Sequence, residues 1–148
     1  MDEKKFKDII QFAIGREKDA IGFYSRASQM VKLSGTRELF LDFAKQEEGH
    51  KKKLEGVMAG KVDVAKIERV PNLKISDYLV DAELRPDIPY ADILRIAMKR
   101  EERSVKLYTD LTEKNVDKNL NNLFTFLIQE ESKHKYALEK LYDDEVLK

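Results

Sequence analysis

Cysteine and tryptophan are absent from this chain of 148 residues, and proline and histidine are scarce. Without cysteine there is no disulfide, no thiolate nucleophile, no cysteine-ligated zinc and no iron–sulfur cluster. The three prolines, Pro71, Pro86 and Pro89, fall in one central region, so helical sequence can run uninterrupted on either side of it. An excess of charge is also missing. The 28 basic and 28 acidic residues cancel, which is not the basic footprint of a nucleic-acid binder. No apolar run is long enough to span a bilayer. The start, Met1-Asp2-Glu3-Lys4-Lys5, has no apolar stretch of signal-peptide type. These absences lead to the expectation of a soluble cytoplasmic protein with no nucleic-acid partner and no membrane partner.

What is present is apolar and charged in comparable amounts. Hydrophobic residues make up 42%, enough for one core, and charged residues 38%, which suits long helices with solvated outer faces. The Lys51-Lys52-Lys53 run reads as such a face. The chain also contains its own repeat. A shift of 84 positions carries Glu17 onto Glu101 and aligns the two halves without a gap. Arg16 falls on Arg100, Tyr24 on Tyr108, Phe40 on Phe124, Glu47 on Glu131, His50 on His134 and Leu54 on Leu138. Such a unit is far longer than a solenoid repeat and occurs twice, which points to a duplicated helical hairpin.

Each half reads as two helices. Phe6, Ile10, Ala13, Ile14, Ile21, Tyr24 and Val31 recur at three- and four-residue steps. Ser34-Gly35-Thr36 then breaks the pattern and offers caps for a second helix striped by Phe40, Phe43, Ala44, Leu54 and Met58. Leu94, Ala97, Val105, Tyr108 and Leu111 line the third helix, and Phe124, Leu127, Ile128, Leu138 and Leu141 the fourth. The turn between them falls within Asn115 to Asn119. The predicted helices span about 4–32, 36–59, 89–114 and 118–143. The expectation is an all-α single domain over residues 1–148: a four-helix bundle of two hairpins, about 4–59 and about 89–143, joined by a crossover linker at 60–88. Within the linker, Ser76-Asp77-Tyr78-Leu79 can start a short helix.

Four glutamates interrupt the apolar stripes, one per helix. Glu17 lies one turn from Ala13, Ile14, Ala20 and Ile21, and Glu101 among Ala97, Met98, Ser104 and Val105. Glu47 follows Phe43 and Ala44, and Glu131 follows Leu127 and Ile128. Burying unpaired carboxylates is costly, and four facing one another repel, so something positive must sit between them. The only histidines, His50 and His134, each stand three residues after a core glutamate, on the same helix face. With 15 glutamates in the chain, both histidines would acquire this partner by chance in roughly one sequence in a hundred. A lone Glu-x-x-His is ordinarily a surface pair. Here the joint pattern overrides that reading, while the adjacent Glu48 and Glu102 stay on the surface because the repeat register selects Glu47 and Glu101.

Carboxylate and imidazole without thiolate suit iron or manganese, with zinc another common occupant. One glutamate from each of two helices plus Glu-x-x-His from the other two is the di-iron arrangement of ferritin-like bundles. The predicted ligands are Glu17, Glu47, His50, Glu101, Glu131 and His134, with Glu47 and Glu131 bridging two iron ions and Glu17 and Glu101 terminal. The same six carry any metal-mediated catalysis.

These motifs, with Tyr24 and Tyr108 each seven residues after a core glutamate, resemble the di-iron domain of the rubrerythrin family over both hairpins. The resemblance implies that Tyr24 and Tyr108 hydrogen-bond the bridging carboxylates, and that Gln46 and Glu130 orient the histidines. It also implies reduction of hydrogen peroxide or oxygen with electrons from a separate, rubredoxin-like donor, and a homodimer. Two departures stand out. The rubredoxin-type four-cysteine site that often accompanies the family is absent. The family's frequent extra glutamate, three residues after the helix-three ligand, is Ser104 here, with Ala20 as its repeat mate. Two other functions remain open at this point. One is iron binding or storage with ferroxidase activity, against which stands the lack of a clear fifth helix after residue 143. The other is a structural bundle that keeps its metal without turnover.

Overall fold

The computed structural model describes residues 2–60, Tyr78, 82–114 and 117–147. They form four helices: α1 (Asp2–Met30), α2 (Ser34–Met58), α3 (Tyr90–Lys114) and α4 (Lys118–Glu145). α1 packs along α2 and α3 along α4, and the hairpins meet through α1–α3 and α2–α4 contacts. This is the bundle of two hairpins read from the repeat, with helix ends within two residues or so of the predicted ones. Of the predicted linker, residues 61–77 and 79–81 lie outside those described, and so does the short helix expected from Ser76 apart from Tyr78. Tyr78 itself is anchored: its ring meets Phe12 and its hydroxyl donates to Asp110 Oδ2 at 2.7 Å.

The apolar stripes converge as two clusters rather than one. Ile10 and Ile14 of α1 share the first with Leu54 of α2, Leu107 and Leu111 of α3 and Phe124 of α4. Tyr24 and Val31 share the second with Phe40, Phe43, Leu94 and Leu138. The start of α1 thus lies beside the end of α3, so those helices run antiparallel. Each helix passes from one cluster to the other at its middle, and there it carries Glu17, Glu47, Glu101 or Glu131. Five stripe residues, Ile21, Met58, Val105, Ile128 and Leu141, are only partly buried, while Phe23, Val57, Ile93, Leu107 and Leu120 join the core. A stripe wider than strict three- and four-residue steps is usual for a bundle helix.

The helix starts differ from expectation in one respect. Ser34-Gly35-Thr36 does not cap α2. Leu33 occupies the cap position with no side-chain bond, and Ser34 already belongs to the helix. The Thr36 hydroxyl lies instead 3.1 Å from that of Tyr90, and the turn is closed by Arg37 Nη2 donating to the Val31 carbonyl at 3.2 Å. α2 is capped at Ala59 and followed by Gly60, whose φ of +82° suits glycine, and whose N–H donates to the Val57 carbonyl at 3.1 Å. α4 has a full cap: Asp117 Oδ1 accepts from the Leu120 N–H at 2.8 Å. Asp117→Ala should therefore cost about 1 kcal/mol in chemical denaturation at fixed metal content. Ser34→Ala, at an exposed hydroxyl with no cap bond, should change stability by less than about 0.5 kcal/mol. Equal costs would show that the Asp117 bond does not hold the start of α4.

Candidate metal centre

The layer between the two apolar clusters is polar and sealed. Glu17, Glu47, His50, Glu101, Glu131 and His134 are all at most 3% exposed. They fall into two overlapping sets, Glu17, Glu47, His50 and Glu131, and Glu47, Glu101, Glu131 and His134. Within each set one ligand atom per residue lies within 4.8 Å of all the others. Glu47 and Glu131 belong to both. The helices impose this: each Glu-x-x-His presents both side chains on one face, and the α1–α3 and α2–α4 contacts bring all four faces together.

Both histidines aim Nδ1 inward. His50 Nδ1 lies 2.7 Å from Glu47 Oε1, 3.6 Å from Glu131 Oε1 and 3.7 Å from Glu17 Oε1. His134 Nδ1 lies 3.1 Å from Glu101 Oε2 and 3.4 Å from Glu131 Oε1. Yet Glu17 Oε1, Glu47 Oε1, both oxygens of Glu131 and His50 Nδ1 are buried with no hydrogen-bond partner. The close His50–Glu47 approach is therefore not directed as a hydrogen bond. Buried acceptors without donors are rare and destabilising. Here they converge on shared points, as lone pairs around cations do.

Electrostatics agree. Burial pushes the Glu47 carboxyl well above its usual range, reinforced by repulsion from Glu17 and Glu101. Glu131 is pushed up by burial and then by Glu101, Glu47 and Glu17. Burial would lower the His134 pKa, but its hydrogen bond with Glu101 and the nearby charges of Glu101 and Glu131 outweigh this and raise it to about 9. Without metal, Glu47, Glu131 and His134 all favour protons where two divalent cations would offset four carboxylates. The donor set fits iron, manganese or zinc.

The tyrosines take a different partner from the one expected. Tyr24 donates to Glu101 Oε2 at 2.5 Å and Tyr108 to Glu17 Oε2 at 2.6 Å, rather than to Glu47 and Glu131. Because α1 and α3 pack antiparallel, each hydroxyl comes to rest beside the carboxylate of the facing helix. The bond to Glu17 Oε2 leaves Oε1 turned to the centre. Burial, and then the charges of Glu101 and Glu17 respectively, push both phenols well above their usual pKa, so they remain donors. Gln46 Oε1 lies 2.8 Å from His134 Nε2 across the α2–α4 seam, whereas Glu130 accepts from Lys133 at 3.2 Å. Phe43 does more than fill the core, and Asp42 and Phe126 join the surroundings of the histidines. Phe43 stacks on His134, Asp42 accepts from Gln46, and Phe126 meets the edge of His50. A mismatch between the two repeats at these positions was the signal available. Glu48 and Glu102 lie at the surface, near Lys51 (3.2 Å) and Lys135 (3.9 Å).

The family model for Rubrerythrin matches residues 8–142. The chain belongs to the rubrerythrin family. Among solved structures, this rubrerythrin-family chain is similar to one described as a ferritin-like diiron-carboxylate protein of Thermotoga maritima. The two share 23% identity and a TM-score of 0.79, over 92% of this chain and 93% of that one. A hypothetical protein of Pyrococcus furiosus is also 23% identical, with a TM-score of 0.74 over 93% and 88% of the two chains. CopM in its Cu(I)-bound form is 15% identical, with a TM-score of 0.65 over 93% and 95%. At these identities the likeness is one of fold. No curated protein matches.

The metal-free rubrerythrin-family chain has a stability of definite sign with pH. Glu47 and Glu131 are raised above the usual glutamate value of 4.5, and His134 rises from 6.5 to about 9. Raised values contribute stability that is present at low pH and lost as pH climbs through the folded value. The chelated protein should therefore melt at progressively lower temperature from about pH 5 to about pH 9. The loaded protein should instead lose stability towards acid, where protons displace the metal. Thermal melts with and without chelator check both slopes. A metal-free melting temperature that rises with pH would mean the carboxylates are hydrated rather than sealed.

Proposed function

We propose that the chain is a dinuclear non-haem iron oxidoreductase that reduces hydrogen peroxide or oxygen with electrons from a separate donor protein. The observation that carries this reading is the pair of buried four-residue sets sharing Glu47 and Glu131, in a chain of the rubrerythrin family. Bound there, two iron ions would supply two electrons at one place and Lewis acidity towards both oxygens of a peroxide. The chain's own part is positional. Glu47 and Glu131 fix the spacing of the two halves, Glu17 and Glu101 close the ends, and His50 and His134 each present Nδ1. Tyr108 and Tyr24 pin the terminal carboxylates so that they do not swing when charge at the centre changes. The apolar clusters on both sides keep bulk water out, which strengthens every charge interaction within.

Hydrogen peroxide takes two electrons and two protons to give two waters. This chain carries no cysteine for a rubredoxin-type site, and a separate rubredoxin-like protein is the donor class that fits. Among the described residues, no helix is long and apolar enough to cross a membrane. Anaerobic iron loading followed by separate mixing with peroxide and with oxygen tests the reading. Stoichiometric oxidation, reversed by an added donor, supports it. Oxidation that continues into a growing mineral would favour storage, and no oxidation at all would favour a structural metal.

Ser104 offers a test of oxidant choice. It is half-buried, one turn beyond Glu101, where many rubrerythrins carry another glutamate. A neutral hydroxyl adds no charge to help stabilise an oxidised pair. Ser104→Glu should raise the ratio of peroxide to oxygen rates in stopped-flow mixing, by several-fold or more. An unchanged ratio at full metal content would mean that this position does not set oxidant choice.

A further inference from the structure

The repeat that makes the six ligand positions equivalent breaks behind the two histidines. α2 carries Asp42, Phe43 and Gln46 where α4, 84 positions on, carries Phe126, Leu127 and Glu130. The structure converts this mismatch into two different surroundings. Phe43, itself buried, stacks on the His134 ring at 3.9 Å between centroids and 22° between planes. Gln46 Oε1 lies 2.8 Å from His134 Nε2, and the same amide donates through Nε2 to Asp42 Oδ2 at 2.6 Å. Asp42 accepts only, so it turns the amide oxygen towards the ring. When His134 serves as a ligand, Nε2 carries the proton and Nδ1 keeps its lone pair towards Glu101 and Glu131.

His50 is held more loosely. Phe126, 39% exposed, meets its ring edge-on at 6.0 Å, with Lys53 Nζ 5.3 Å from the Phe126 centroid. Glu130, the repeat mate of Gln46, is turned to Lys133 on its own helix. Among the described residues nothing equivalent to the Gln46 bond is found at His50.

We propose that the two halves of the centre hold metal with unequal affinity, the half containing His134 being the tighter, and that Gln46 is the positioning residue that makes it so. This rests on the dinuclear reading above. A ring already fixed in orientation and tautomer loses less freedom when it ligates, and a hydrogen bond to its outer nitrogen makes the inner one a better donor. His50 must acquire both on binding. The half that empties first is then the one beside the exposed Phe126.

The test is a titration of the cobalt(II)-loaded full chain with a competing chelator, followed by visible absorption. Wild type should lose about two ions in two steps, separated by roughly tenfold or more in chelator concentration. Gln46→Met keeps the bulk and removes the acceptor. It should weaken the tighter step alone by about 10–100-fold, merging the two. Asp42→Ala, at an exposed position, should shift that same step by less, and Glu130→Met should shift neither. His50→Ala should retain the tighter ion and His134→Ala the weaker one. Loss of both ions in one unresolved step from wild type, or equal weakening of both steps by Gln46→Met, would overturn the inference and leave the dinuclear reading standing. Binding of fewer than two ions by wild type would overturn that reading and the inference together.

Discussion

Four carboxylates brought to one point inside an apolar bundle are the constraint on which this structure turns. Taking an ion out of water costs on the order of several kcal/mol even after relaxation, and the four charges here also repel. Without metal, burial and mutual repulsion push the Glu47 and Glu131 carboxyls towards their neutral forms. Cations remove both penalties together, by neutralising charge and by satisfying the lone pairs that no donor reaches. The division of the core into two clusters follows from this. No helix can be apolar through its middle, so Ile14, Leu54, Leu107 and Phe124 pack on one side of the polar layer and Tyr24, Phe40, Leu94 and Leu138 on the other.

Duplication solves a symmetric problem economically. Two hairpins related by an approximate two-fold give each half of the centre the same ligands, and the antiparallel meeting of α1 and α3 lets Tyr24 and Tyr108 each serve the other's hairpin. These crossed bonds tie the hairpins at the layer where carboxylate repulsion pushes them apart. Symmetry is kept in the ligands and in these tyrosines. It is dropped one helical turn further out, where Asp42, Phe43 and Gln46 face Phe126, Leu127 and Glu130. Changes there alter how firmly a ligand is held without altering what it is.

This chain keeps its chemistry in the buried layer. It carries a buried site suited to paired cations and, lacking cysteine, no second redox group of rubredoxin type. The half-buried Arg100 guanidinium over the Phe23 ring and the Lys106 ammonium over Tyr78 show how its many charges serve as lids on apolar groups rather than as a net field.

Helix number, pairing into hairpins and the inward facing of six glutamates and histidines were legible in the sequence. Each depends on periodicity within one helix or on the register of the repeat, and a Glu-x-x-His pair lies on one face whatever surrounds it. Core membership was legible in outline. Ile21 and Val105 fit the period yet sit half-buried, because the width of a stripe is decided by the helices that cover it. The start of α2 was not legible: Ser34 has the chemistry of a cap, but the turn closed by Arg37 places Leu33 at that position. The tyrosine partners were misassigned for the same kind of reason. Tyr24 and Tyr108 are two turns from the glutamates of their own helices, and which carboxylate a hydroxyl meets depends on how α1 and α3 run past each other. Gln46 reaching across to His134, and Glu130 staying with Lys133, likewise needed the α2–α4 packing. Spacing along the chain settles which side chains share a face, and only the packing of one helix against another settles what that face touches.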